Sequence, residues 1–233
     1  MIRNYNDFLE TIQNAGFSMG GGNDDGIYTT INWNWNEAAP YETPIAWHTG
    51  DPETDPWEWR TRVLDENRGI AYAKLFFKKS GYITKEWYPY FLAARRKGVT
   101  FLEAYDDGTA SHFAKRIYDV VAEKVVIPVH DIKQLAGFTR EDKPGFDRAL
   151  TELQMGMFIT MSGNQQRISL KGEEYNTWPS MVYTTTENFW GEDVFRQAEE
   201  ISSEEAASRI KAQILKLNPN AQDKKILKFI FGR

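Results

Sequence analysis

Residues 146–170 read FDRALTELQMGMFITMSGNQQRISL, and the reading of this stretch decides the fold. Phe146, Ala149, Leu150, Leu153 and Met157 recur every three or four residues, which places them on one stripe of a helix that Pro144 opens. Phe158 to Ser162 and Arg167 to Leu170 then read as two strands, joined by Gly163-Asn164-Gln165-Gln166.

Upstream, Ala110, Phe113, Ala114, Ile117 and Val121 share one face of a helix spanning Thr109 to Lys124. A short strand, Val125 to Ile127, follows. A helix from His130 to Ala136 is stopped by Gly137, and Phe138 to Lys143 makes a turn. Helix, strand, helix, turn, helix and hairpin is the order of a winged helix-turn-helix domain, whose second turn helix enters the major groove. On this pattern Asp147, Arg148, Thr151 and Glu152 face outward, with Arg167 at the wing. Thr109 to Glu174 carries nine basic and nine acidic side chains, so its pull on phosphate is weak, and a packing role for the module is an equal alternative.

The N-terminal part is less regular. Tyr5 to Phe17 reads as an amphipathic helix with Phe8, Ile12 and Ala15 inward, and Met19 to Gly26 as a flexible loop. Alternation from Ile27 to Asn36 predicts a strand with Ile31, Trp33 and Trp35 on one face. A helix is expected over Trp57 to Asn67, and Ile70 to Phe77 is either helix or buried strand. Gly81 to Thr84 is expected to turn the chain into a helix that carries Tyr88, Phe91 and Leu92 inward and ends in Arg95-Arg96-Lys97. Beyond the wing, Met181 to Thr186 suggests a strand. Ser202 caps a helix bearing Ala206, Ile210, Ile214 and Leu217, and Lys224 to Phe231 forms a short basic and apolar tail.

Chemistry concentrates between Trp47 and Arg60, where three tryptophans, His48, the carboxylates Asp51, Glu53, Asp55 and Glu58, and two prolines crowd together. A rigid loop with ionisable groups and large apolar faces suits a recognition site. Helix capping explains part of it equally well: Asp55 fits an N-cap, Pro56 the first helical position, and Glu58 the reciprocal partner of a capping box. Asp51, Glu53 and Asp55 alternate like calcium ligands, but Pro56 and Arg62 occupy the places of the turn glycine and the bidentate glutamate.

The 233 residues contain eight tryptophans, eleven tyrosines and no cysteine, which excludes disulfides, thiolate catalysis and cysteine-held zinc. Three scattered histidines make a metal site unexpected, and no cofactor is expected. No apolar run approaches the roughly 18 residues of a membrane span and no signal peptide opens the chain, so a cytoplasmic protein without a membrane partner is expected. The net charge of −5 is unevenly spread. Glu37 to Glu58 holds six acids and no Lys or Arg, whereas Gly69 to Lys97 holds seven cations against Glu86 alone. The two segments either pair with each other or leave a basic face for a polyanion.

Three segments carry a resemblance to a known family: Trp47 to Arg60; IAYAKLFFKKSGYITKEWYPYFLAARR from Ile70 to Arg96; and Phe146 to Trp178, which closes in Thr177-Trp178-Pro179. Together they resemble the AlkZ-related proteins, small relatives of the AlkZ (YcaQ-type) winged-helix DNA glycosylases. The resemblance implies an α+β, mostly helical chain of tandem winged helices with short β-hairpins, holding duplex DNA from which an altered base is excised. The glycosylases' Gln-x-Gln or Gln-x-Asp motif has no counterpart, since none of the eight glutamines has Gln or Asp two positions later. The chain is also too short for their additional β-barrel domain.

The expected layout is a winged-helix-like part over 1–108, a winged helix over 109–190 and a helical extension over 191–233. The expected function is winged-helix DNA binding related to repair glycosylases, with catalysis left open; the alternative is a non-catalytic scaffold for a protein or small-molecule partner. Lys74, Lys78, Lys79, Arg95, Arg96, Arg148 and Arg167 are the candidate phosphate contacts. Trp47, His48, Trp57 and Trp59 are candidates for holding a flipped base, with Asp51 or Glu53 activating water.

Overall fold

The computed structural model describes residues 1–166 and 178–232. Helix α1 (Tyr5–Ala15) buries Tyr5, Phe8, Leu9, Ile12 and Ala15, starts on the Asn4 side-chain cap, and ends at Gly16 in the left-handed region. Gly16 admits no side chain, because φ is +87° and a Cβ would collide with the Trp87 ring. Strand β1 (Phe17–Met19) follows. The strand expected over Ile27–Asn36 does not form. Of that segment only Thr29 makes an isolated bridge, to Met19, and the rest drapes irregularly. Ile27, Ile31 and Trp33 are buried there, while Trp35 is 67% exposed, so the sequence alternation records anchoring of a loop rather than a pleat.

Helix α2 (Pro56–Asp65) leads into β2 (Ile70–Phe76) and β3 (Lys79–Thr84). Burial on both faces resolves Ile70–Phe76 as a strand. Gly81–Thr84 is part of a strand and not the expected turn. The chain reverses instead at Phe77 and Lys78, both at positive φ, +51° and +63°. A two-residue hairpin needs that backbone, and it normally advertises itself with Asn-Gly or Asp-Gly. The three strands form an antiparallel sheet in the order β1-β3-β2.

Helix α3 (Tyr88–Arg95) is buried nearly all round, and α4 (Phe101–Asp106) opens on a reciprocal capping box between Thr100 and Glu103. Helix α5 (His112–Lys124), strand β4 (Ile127–Pro128), α6 (Val129–Leu135), α7 (Lys143–Met155), β5 (Ile159–Gln165) and β6 (Ser180–Thr185) come next. Within α7, Asp147, Arg148 and Glu152 are exposed as expected. Thr151 is not: it is buried, its hydroxyl donating to the Asp147 carbonyl. The described partner of β5 is β6, and the second sheet has the order β4-β6-β5. The expected strand Arg167 to Leu170 lies outside the described residues.

Four helices complete the chain: α8 (Thr186–Trp190), α9 (Glu192–Glu199), α10 (Ser203–Leu217) and α11 (Asp223–Phe231). What reads as a basic and apolar tail is the helix α11, which sends Ile226, Phe229 and Ile230 into the core.

The two sheets are built alike. Each is antiparallel, in the order first, third, second of its own strands, with one helix before its first strand (α1, α5) and another before its hairpin (α2, α7). They also pack reciprocally: α7 rests on β2, α2 rests on β5, and β2 meets β5. Fully buried Gln154 of α7 fastens this junction, its Oε1 accepting from the Lys74 N–H on β2 at 3.0 Å and its Nε2 donating to the Leu150 carbonyl at 2.9 Å. An otherwise open edge amide of β2 is thereby covered.

Arg95 ties three elements together. Its guanidinium donates to the carbonyls of Leu75 on β2 (2.9 Å), Met155 at the end of α7 (3.0 Å), and Phe229 and Ile230 at the end of α11 (2.7 and 2.8 Å). Carbonyls in a last helical turn have no partner within the helix, so one side chain closes two helices at once. Although the residue as a whole is half-buried, the guanidinium is enclosed, and burial pulls it down to about 10, which leaves it charged at neutral pH. Removing it strands four acceptors. Arg95→Ala is expected to cost about 3 kcal/mol in urea unfolding, with Arg95→Lys recovering only part of it. A loss below about 1 kcal/mol would show that the carbonyls find other donors.

Candidate functional site

The Trp47–Arg60 segment is organised by a carboxylate that faces inward. Asp55, fully buried, accepts from the backbone N–H groups of His48 (3.0 Å), Gly50 (2.9 Å) and Trp57 (2.8 Å), and is the N-cap of α2 with Pro56 at its first turn. The cap bond goes to Trp57, so no reciprocal box with Glu58 closes here. One side chain therefore starts the helix and folds the preceding loop back onto it, with His48 held at φ +60°.

Asp51 and Glu53, exposed, shape the same loop. Asp51 accepts from the Glu53 N–H and the Thr54 hydroxyl, both at 2.9 Å, and these bonds hold its carboxyl below the usual range. Glu53 pairs with Arg62 of α2 at 2.7 Å; Arg62 also donates to the Pro52 carbonyl and to Glu66, and lies 3.9 Å from the Tyr5 ring centroid. The acidic turn is thus stapled to its own helix. It does not pair with the basic segment at Arg95 and Arg96, because those two guanidinium groups are already engaged elsewhere.

The tryptophans divide. Trp59 is a core side chain, fully buried, packed on Phe8 with centroids 4.7 Å apart and donating to the Pro52 carbonyl. Trp47 is half-buried, its indole N–H held by the Trp33 carbonyl at 3.0 Å. His48 and Trp57 face the surface and are joined there by two rings that the sequence reading passed over. Trp35 stands 5.8 Å from His48, His48 4.9 Å from Trp57, and Trp57 6.3 Å from Trp178. The Arg60 guanidinium lies 3.4 Å from the Trp57 ring centroid. Trp35 and Trp178, 67% and 77% exposed, are the most exposed indoles among the described residues. Trp35 was hidden inside a supposed strand, and Trp178 has no nearby sequence signal beyond its Trp-Pro pairing.

The candidate cations scatter. Lys79 pairs with Asp25 at 2.8 Å, Arg95 is turned inward, and Arg96 pairs with Glu187 at 2.7 Å. Lys74 is half-buried on β2, Lys78 is exposed at the hairpin turn, and Arg148 is exposed on α7. Arg167 lies outside the described residues. Among the described residues, no group of three or more His, Asp or Glu is placed to hold a metal, and no helix is long and apolar enough to cross a membrane. What this surface can do chemically is stack a flat ring along a row of indoles and an imidazole, with a guanidinium beside it.

A family model described as AlkZ related matches residues 2–231. No curated protein and no solved structure matches the chain.

Because the buried Asp55 carboxylate accepts from three backbone amides, Asp55→Ala is expected to lower stability by about 2–3 kcal/mol. The exposed carboxylate of Asp51 can be replaced more cheaply, and Asp51→Asn should stay within about 0.5 kcal/mol. Equal losses in thermal unfolding would refute this division between the two aspartates.

Proposed function

The chain belongs to the AlkZ-related family, and from that premise we propose that it binds DNA through two winged-helix units and holds an unpaired or everted base on the row Trp35, His48, Trp57 and Trp178. The observation that carries this reading is the row itself, whose ends Trp35 and Trp178 are exposed while every other described Trp, Tyr and Phe is buried or half-buried. Support for the units comes from topology. The order α5-β4-α6-α7-β5-β6 with sheet order β4-β6-β5 fits a winged helix-turn-helix, and α1-β1-α2-β2-β3 repeats it with the loop through Trp47 in place of the middle helix. The first unit then occupies 1–108 and the second 109–190, with 191–233 packed as helices around α3.

Base stacking suits this chain better than groove reading does. Helix α7, the counterpart of a recognition helix, offers two exposed cations, Lys143, which pairs with Asp147 at 3.5 Å, and Arg148, between the acids Asp147 and Glu152, and its inner side rests on the first sheet. A net charge of −5 also limits what phosphate contacts supply. Stacking is worth about 1–3 kcal/mol per base and tolerates any sequence. Lys74, Lys78 and Arg148, with Arg60 beside Trp57, are the cations assigned to the flanking backbone. Asp51 and Glu53 are assigned to loop geometry, because hydrogen bonds and an ion pair already engage them. Damaged or locally opened duplex is the substrate class, and excision of the base is not part of the assignment.

Fluorescence anisotropy at low salt tests this with two duplexes, one fully paired and one carrying a single bulged base. The bulged duplex is expected to bind more tightly. Trp57→Ala is expected to remove about 1–3 kcal/mol, roughly 5- to 150-fold in Kd, from that complex alone. Equal affinity for the two duplexes, or an unchanged Kd in the variant, would overturn the assignment.

A further inference from the structure

The turn between α6 and α7 walls a pocket of about 220 Å3 whose charged side chains all carry the same sign. Phe138 and the fully buried Phe146 form its apolar walls, Lys133, Arg140 and Lys143 supply three cations, and no acid lines it. Gly137, at φ +68°, lets the chain reverse after α6. Arg116 of α5 fixes the turn, its guanidinium donating to the Ala136 carbonyl and lying 4.0 Å from the Phe138 ring centroid. Phe138 in turn meets Phe146 edge to face, with centroids 5.0 Å apart. Walls of low polarity concentrate the field of the cations in the space between them.

Those cations have little else to hold. Lys133 is half-buried, and its Nζ lies 4.8 Å from the Phe146 ring centroid, which sets the ammonium over the inner wall of the pocket. Among the described residues it makes no ion pair, and neither does the exposed Arg140. Lys143 reaches Asp147 only at 3.5 Å, with side chains 69% and 49% exposed, so solvent screens that pair. Glu141 and Asp142, the acids within the turn, do not line the pocket. Asp142 faces Thr139, accepting from its N–H at 2.8 Å and from its hydroxyl at 2.9 Å. Helix α7 is thereby left without a side-chain cap, and the positive end of its backbone dipole adds to the same field.

Size and charge together select the ligand. The pocket is smaller than the roughly 300–1,000 Å3 of sites that enclose a whole small molecule, so it takes a head group and leaves the rest outside. Three cations match more than one negative charge. A phosphate monoester carries about −1.5 to −2 at pH 7 with three acceptor oxygens, whereas a phosphodiester or a carboxylate carries a single charge. We propose that this pocket seats a phosphate monoester group, with the Arg140 guanidinium donating to two of its oxygens and Lys133 to the third. Lys143 adds its charge at the rim by turning from Asp147.

The group has two sources, a small phosphate ester and the phosphorylated end of a DNA strand. Position favours the strand. Lys133 lies about one helical turn from His130, whose Nδ1 is 3.0 Å from the hydroxyl oxygen of Ser180, two residues after Trp178. The pocket and the ring row therefore share one end of the second sheet. The seat itself does not rest on the DNA assignment; only the choice of a strand end as its source does.

Titrations of 15N-labelled full-length protein at fixed ionic strength decide it, with methyl phosphate as the monoester and dimethyl phosphate as the diester. Methyl phosphate is expected to shift the Thr139, Arg140 and Lys143 amides saturably and to bind about tenfold or more tightly than dimethyl phosphate. Arg140→Gln is expected to weaken it by a similar factor, while Lys97→Gln, which removes another exposed cation, leaves it unchanged. Should Arg140→Gln fail to fold, the comparison of the two esters decides alone. A short DNA strand with a 5′-phosphate then names the source: tighter binding than methyl phosphate, lost when the strand ends in a 5′-hydroxyl, assigns the strand end, and binding equal to methyl phosphate assigns the small ester. The Trp57 indole signal should stay in place with methyl phosphate, so the seat and the base-stacking surface fail separately. Absence of saturable shifts with methyl phosphate, equal binding of dimethyl phosphate, or equal affinities of the Arg140→Gln and Lys97→Gln variants would overturn the proposal.

Discussion

A guanidinium taken out of water must find acceptors, and Arg95 finds them at the ends of two helices and on one strand. That requirement fixes how the molecule is assembled. Helix α3 is apolar on nearly every side, so the elements around it have little but shape to orient them. Directed bonds to Leu75, Met155, Phe229 and Ile230 set where β2, α7 and α11 meet. Gln154 adds a second directed contact across the same junction. With α7 set on β2, the reciprocal contact of α2 with β5 follows, and the two similar sheets meet at their edge strands β2 and β5.

The ring row is a product of that assembly. Trp57 stands on α2, beside the first sheet, and Trp178 immediately precedes β6 in the second. Their contact at 6.3 Å crosses the junction. Neither sheet with its own helices would present the row alone. Buried Asp55 performs the local part of the work by holding His48 and Trp57 on one backbone frame. The sequence clusters acids and indoles, whereas the fold separates them: the acids bond to the loop and to Arg62, and the outer indoles are left to solvent.

How much of this was legible in the sequence follows from the range of the interactions involved. Helices α5, α7 and α10 were readable because their apolar stripes and caps are local, and Asp55-Pro56 announced the start of α2 for the same reason. Phe77-Lys78 was not readable as a hairpin turn, since neither residue type favours positive φ and the surrounding sheet imposes it. Ile27–Asn36 misled because a pinned loop can bury alternate residues as a strand does. Charge misled most: Arg95 and Arg96 look like a cationic surface next to Lys97, yet the partners of Arg95 lie 20 to 135 residues away in the chain and the carboxylate partner of Arg96 lies 91 residues away. Trp35 and Trp178 joined the site only once the chain was folded. The α11 helix shows the reverse case, a segment whose apolar spacing was present but masked by its lysines.

The central claim is that packing of two similar units creates one ring surface that receives a base. Photocrosslinking tests it most directly, using duplex DNA with a single 5-iodouracil bulge and mass-spectrometric mapping of the adducts. The account predicts adducts on His48, Trp57 and Trp178, drawn from both units within the same sample. Adducts confined to the outer face of α7 around Arg148, or to one unit only, would contradict it.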